Sequence, residues 1–132
     1  MKKLIFAALA PLAVLAACAQ PQVSASTAAV TDTFIDMEPT LSFSPSPVTI
    51  SAGETVTFRN TSAFGHTVST EPNSPAESAN TELPAGAMSF DSGNVAAGGT
   101  YTHTFTVPGT YRYFCDPHNG AGMTGTIVVT AG

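Results

Sequence analysis

Polar and apolar residues alternate along several short stretches of the chain, and this pattern predicts β-strands rather than helices. Residues 55–58 alternate, and residues 100–107 do so throughout, with threonines on one face and mostly aromatic side chains on the other. The β-branched residues at 48–50 and 125–130 have the composition of further strands. Short strands separated by turns predict an all-β sandwich.

A Pro-Gly pair at 108–109 separates two of these strands and predicts a hairpin whose second arm is residues 110–114. Such a hairpin would place His103 roughly opposite Phe114 or Cys115. The long segment 72–99 is rich in Ser, Asn, Gly and Pro, so we expect a loop with one short strand near 88–90. No window has the period of an amphipathic helix.

The amino terminus has the pattern of a secretory signal peptide, in which two lysines precede an apolar run too short to cross a membrane. The run ends in LAAC, which resembles the lipobox of bacterial lipoproteins and implies a lipid on Cys18. An ordinary export signal is the alternative. The small polar residues that follow predict a flexible tether. We therefore expect a signal peptide at 1–17, a lipidated terminus and tether at 18–40, and a folded domain at 41–132.

Charge and anchoring restrict the compartment and the partners. After loss of the signal, two arginines remain against nine acidic side chains, which argues against binding to nucleic acid phosphates. More than one acyl chain on Cys18 would hold an exported protein stably on a lipid bilayer. Ala19 is not an acidic inner-membrane retention signal, so the outer membrane is favoured where the cell has one. We expect a monomer that faces the periplasm or the outer face of the cell membrane.

The stretch CDPHNGAGM places Cys115, His118 and Met123 within one loop. A thiolate, imidazole nitrogen and a weak axial thioether are the ligands of blue copper sites, whereas tetrahedral zinc sites draw on several Cys or His residues. A disulfide between Cys18 and Cys115 is the alternative use of the thiol. The small residues 120–122 predict an apolar surface around His118 that a partner can approach.

A second histidine is needed to complete this ligand set. His103 is a candidate because the predicted hairpin brings it near Cys115. His66 is the other candidate, since the loop that follows residues 55–58 can reach across a sandwich. Strand patterns alone leave both open.

Two long segments resemble one known family. TYRYFCDPHNGAGMTGTIVV resembles the copper-binding region of the plastocyanin family of cupredoxins, and FSPSPVTISAGETVTFRNTSAFGHTV resembles the family's segment that ends in its first His ligand. The resemblance implies a cupredoxin-type Greek-key β-sandwich of about seven to eight strands. It also implies one type 1 (blue) copper ion bound by His66, Cys115, His118 and Met123, and gives His103 no part in binding.

Two residues depart from the family's pattern. Thr67 stands where the family commonly has an Asn directly after the first His ligand. That Asn connects the two ligand loops by a hydrogen bond. With Thr67 we expect this connection to be made differently and the reduction potential to be shifted. Phe114 stands where photosynthetic plastocyanins have a Tyr in a remote electron-entry region. The route through His118 is unaffected.

The resemblance implies an electron carrier that passes single electrons through His118 to redox partners such as a cytochrome. The alternative is a copper-binding or copper-delivery protein without an electron-transfer role. A copper enzyme would need ligands from further histidines, and the chain has three in all. We therefore expect no enzymatic activity.

Overall fold

Seven β-strands form two mixed sheets within residues 31–132, the part of the chain that this computed structural model describes. One sheet has the order β2-β1-β4-β5 and the other has the order β3-β7-β6, with parallel pairing between β1 and β4 and between β3 and β7. The predicted all-β sandwich is confirmed. The strands are β1 (Thr33–Met37), β2 (Phe43–Ser44), β3 (Val48–Ser51), β4 (Glu54–Asn60), β5 (Thr100–Phe105), β6 (Gly109–Phe114) and β7 (Thr124–Thr130).

The core lies between the two sheets and is built largely of aromatic rings. Tyr113 is fully buried, with its ring edge-on to Phe43 at 4.8 Å and to Phe58 at 5.4 Å between centroids. Gly125 is paired with Tyr113 across the β6–β7 ladder, and a Cβ atom there would overlap the Tyr113 ring. The absence of a side chain at Gly125 therefore leaves the space that the Tyr113 ring fills.

Strand β1 lies inside the range that the sequence predicted to be tether. Ile35 and Met37 are fully buried, and β1 pairs in parallel with β4, so that Ile35 lies beside Phe58. The folded domain therefore begins before residue 41, because these two side chains complete the core of the first sheet. The signal peptide, Cys18 and the tether up to residue 30 lie outside the described residues.

The predicted hairpin is wrong. β5 pairs with β4 in one sheet and β6 pairs with β7 in the other, so the turn between β5 and β6 crosses from sheet to sheet. His103 consequently lies opposite Val56 and not opposite Phe114 or Cys115. A Pro-Gly turn reverses the chain, but it does not determine which sheet each arm joins.

Segment 72–99 contains a short helix, α1 (Pro75–Ala79), that was not predicted. The Ser74 hydroxyl caps it by accepting a hydrogen bond from the Glu77 N–H at 3.2 Å. Its five residues are too few to show a helical period. The strand expected near 88–90 does not form, and Asp91 makes only an isolated bridge to Ser69. Between residues 31 and 132, no helix is both long and apolar enough to cross a membrane.

Candidate metal centre

Three side chains with metal-binding atoms meet at one end of the sandwich. The Sγ of Cys115 lies 3.6 Å from Nδ1 of His66 and 3.3 Å from Nδ1 of His118, and the three donor atoms all lie within 4.8 Å of one another. When a metal ion is bound at about 2.0 Å by a nitrogen and at about 2.3 Å by a sulfur, with a bond angle of about 100 to 120°, the nitrogen and the sulfur lie about 3.3 to 3.7 Å apart. Both measured sulfur–nitrogen distances fall in this range. The three residues therefore fit a single metal ion.

The ligand loop between β6 and β7 is closed by its own backbone. Cys115 follows β6, and its N–H donates to the carbonyl of Met123 at 3.0 Å. A 3-10 helix, Asp116–Ala121, carries His118, whose N–H donates to the Cys115 carbonyl at 3.1 Å. Gly122 ends this helix with a φ of 83°, a conformation that favours glycine. The fully buried Met123 thus lies beside Cys115 at the neck of the loop.

His66 reaches the site from the other sheet, in the loop that follows β4. Its backbone pairs with Val95 through two hydrogen bonds of 3.1 and 2.7 Å. The imidazole is fully buried, and its ring lies 5.0 Å from Phe64 and 4.9 Å from His118 between centroids. Its Nε2 has no hydrogen-bond partner within residues 31–132. Packing and the backbone therefore set the orientation of this ring.

His103 lies away from the three donors. Its ring packs against Phe90 at 4.1 Å and against Phe105 at 4.7 Å, on the inner side of β5. Burial lowers the pKa of this half-buried imidazole. The structure thus brings His66, and not His103, to Cys115 and His118, as the family resemblance implied. That copper is bound by these residues and by Met123 stays a prediction for mutagenesis.

Thr67 connects the two ligand loops. Its N–H donates to Sγ of Cys115 at 3.3 Å, and its Oγ1 accepts a hydrogen bond from the N–H of Asp116 at 2.8 Å. A donor to the sulfur stabilises thiolate charge, and the hydroxyl bond holds the loops in register. Thr67 thus ties the loops together with its own hydroxyl, while the expected shift in reduction potential stays a prediction.

Burial shifts the pKa values of two of the donor side chains. Burial raises the pKa of the Cys115 thiol, although hydrogen bonds from Thr67 act in the opposite direction. Burial also lowers the pKa of His66, and the nearby His118 lowers it further. A bound metal ion would supply the positive charge that a buried thiolate requires. One thiolate with two imidazoles is a donor set that suits copper, and Met123, whose backbone is bonded to Cys115, would add a thioether.

Small exposed residues surround the half-buried His118. Gly120, Ala121 and Gly122, for which the sequence predicted an apolar surface, are all exposed, and so is Pro117. The ring of Phe64 is 41% exposed and lies 5.5 Å from the His118 ring. Sequence reasoning missed Phe64, although an aromatic residue two positions before His66 was a visible signal.

Helix α1 supports the ligand loop from the side. Asn80, which ends the helix, donates from Nδ2 to Oδ1 of Asn119 at 2.8 Å. Asn119 directly follows His118 in the chain. This support could not be predicted from the sequence because the helix itself was not predicted.

Comparison with known proteins gives matches over nearly all of the described domain. The model of the copper-binding plastocyanin/azurin family matches residues 29–130. Plastocyanin from Scenedesmus fuscus is 46% identical over 89 residues, which are 67% of this chain and 87% of that protein. Plastocyanin A/B from Petroselinum crispum is 40% identical over 93 residues, which are 67% of this chain and 88% of that protein.

Solved structures of amicyanin variants have the same fold. An oxidised variant is 26% identical with a TM-score of 0.59, and the match covers 78% of this chain and 88% of that one. The Cu(I) form of another variant is 25% identical with a TM-score of 0.59, over 75% of this chain and 82% of that one. The sequence matches and the structural matches both indicate copper-binding proteins, which agrees with the donor atoms of His66, Cys115 and His118.

Proposed function

Because the chain belongs to the plastocyanin/azurin family of copper-binding proteins, we propose that it shuttles single electrons between redox proteins on the extracytoplasmic side of a membrane. It is a blue copper electron carrier and not an enzyme. The observation that carries the proposal is the position of the Cys115 Sγ, within 3.6 Å of Nδ1 of both His66 and His118.

Copper, when bound, supplies the one-electron chemistry by alternating between its cuprous and cupric states. Cys115 and Met123 offer sulfur, which favours the cuprous state, and His66 and His118 offer nitrogen, which suits both states. Backbone hydrogen bonds hold the donor residues in the protein alone, so they need little movement between states. Cys115, His66 and Met123 are fully buried, which keeps water away from the sulfur atoms.

We propose that redox partners dock around His118. Its imidazole is partly exposed, while the other donor residues are buried. The small side chains around it let a partner approach its edge closely, and short distances favour electron transfer. A redox protein such as a cytochrome, with an apolar contact surface, would suit this end of the sandwich.

Export and lipid attachment at Cys18 are also proposed, and the amino-terminal sequence supports them. Two or more acyl chains give stable membrane binding, whereas one gives only marginal binding. Cys18→Ala should therefore move the protein from the membrane fraction to the soluble fraction of cells that process lipoproteins. Recovery of the unaltered protein in the soluble fraction would argue for an ordinary export signal.

Kinetics separate electron transfer from copper delivery. We expect the copper-loaded protein to exchange electrons rapidly between its Cu(I) and Cu(II) forms, measured by NMR line broadening, and to lose copper slowly to a chelator. Both follow from buried donors on a rigid backbone. Slow electron exchange combined with rapid copper loss would instead favour copper delivery.

A further inference from the structure

Asn60, at the end of β4, uses every hydrogen-bonding atom of its side chain. It is 2% exposed, and its Nδ2 donates to the carbonyls of Phe64 at 2.7 Å and Val95 at 2.9 Å. Its Oδ1 accepts from the N–H of Ser62 at 2.9 Å and from the Ser62 hydroxyl at 2.7 Å. One carboxamide therefore closes the whole turn that leads to His66.

The same carboxamide shares an acceptor with the backbone of His66. The Val95 carbonyl accepts from Asn60 Nδ2 and also from the His66 N–H, and the Val95 N–H donates back to the His66 carbonyl. The backbone of Asn60 is bonded to Gly98 and Gly99 in the same segment. Asn60 thus joins the end of β4, the turn and residues 95–99 into one unit.

Phe64 links this unit to both imidazoles. Its carbonyl accepts from Asn60 Nδ2, and its ring packs against His66 and His118. Since Nε2 of His66 has no partner within the described residues, no second hydrogen bond orients that imidazole. The position of the ring depends on the backbone and on Phe64, and Asn60 holds both.

We propose that Asn60 is a positioning residue for the metal centre. Its carboxamide keeps the His66 imidazole and the Phe64 ring in place when the oxidation state changes, without contacting the donor atoms. The inference rests on the proposed function, because electron transfer is fastest when the ligands rearrange least. Loss of the carboxamide should slow electron exchange while leaving the ligand set intact.

Asn60→Asp tests this because it keeps the size of the side chain and removes both N–H donors, so that a carboxylate faces the carbonyls of Phe64 and Val95. Ser62→Ala is a milder variant that removes one hydroxyl from the same network. Phe43→Leu is the control for general destabilisation, since Phe43 belongs to the core and makes none of these bonds. Asn73→Asp, at an exposed position, is the control for added charge.

The first measurement is amide hydrogen exchange by NMR on the metal-free protein. In Asn60→Asp we expect exchange at His66 and Val95 to accelerate about tenfold more than at Val56 and Phe58 in β4, the effect of losing about one hydrogen bond. Ser62→Ala should show the same pattern with a smaller increase, and it carries the test if Asn60→Asp does not fold. The two control variants should show no such local difference.

The second measurement is electron self-exchange of the copper-loaded protein. Asn60→Asp should stay blue and exchange electrons several-fold more slowly than Phe43→Leu. The proposal would be overturned if hydrogen exchange in Asn60→Asp accelerated equally at all amides. It would also be overturned if the electron self-exchange rate of Asn60→Asp equalled that of Phe43→Leu. If the unaltered protein proved colourless, the proposed function would fail, while the amide measurement would still decide whether Asn60 positions His66.

Discussion

Copper-loaded Cys115→Ser is expected to lack the intense blue absorption of the unaltered protein. The colour of a type 1 site comes from charge transfer between the thiolate sulfur and the metal, and Cys115 is the free cysteine of the described domain. A serine hydroxyl supplies neither the soft sulfur nor an anion at neutral pH. Visible absorption and electron paramagnetic resonance spectra of the Cu(II) protein measure the loss.

A fold control is needed because serine places a hydroxyl in a fully buried position, at a cost of about 1 to 3 kcal/mol. Val68→Thr makes the same kind of change at another fully buried residue and leaves all four predicted ligands intact. Val68→Thr should therefore be less stable but blue. A folded Cys115→Ser protein that kept its blue band would refute the thiolate assignment.

His66→Ala and His103→Ala should behave in opposite ways. Loss of a residue that merely supports a metal ligand weakens binding by about 10- to 100-fold, so loss of His66 itself should weaken copper binding by more than about 100-fold and remove the blue band. His103→Ala should keep both the band and the affinity. It should lower the free energy of unfolding by about 1 kcal/mol, because its ring packs on Phe90 and Phe105.

Copper titration and chemical denaturation of the two variants measure these effects separately. Added imidazole should restore part of the blue colour to His66→Ala by entering the space that the side chain leaves. It should do nothing to His103→Ala. A colourless His103→Ala beside a blue His66→Ala would show that the ligand assignment is wrong.

Strands with clear alternation were predicted well. β4 contains the predicted residues 55–58, and β7 begins one residue before the predicted stretch 125–130. Both strands have one buried and one more exposed face, so the alternation of apolar and polar residues predicts which of their residues are buried. β1 was missed because its two buried residues, Ile35 and Met37, follow a small polar stretch and offer too short a pattern.

The partners of each strand could not be predicted in the same way. Strands were predicted at residues 100–107 and 110–114, and β5 (Thr100–Phe105) and β6 (Gly109–Phe114) form there with slightly different ends. The turn between them crosses the sandwich instead of making a hairpin. The tendency of a segment to form a strand depends on its neighbours in the chain. Which sheet the strand joins depends on where its apolar face is best buried, and that is decided by the packing of the whole core.

The sequence by itself determined the ligand loop, because Cys115, His118 and Met123 are close in the chain and the backbone bonds that join them are local. It also determined the sandwich class through alternation. Strand patterns left both His66 and His103 open, and the family resemblance implied His66. The tertiary structure supplied the physical reason, because the pairing of β5 with β4 keeps His103 away from Cys115. The network of Asn60 likewise depends on Val95, which lies 35 positions further along the chain, so no local pattern could indicate it. Contacts between distant segments form only when the two sheets pack together.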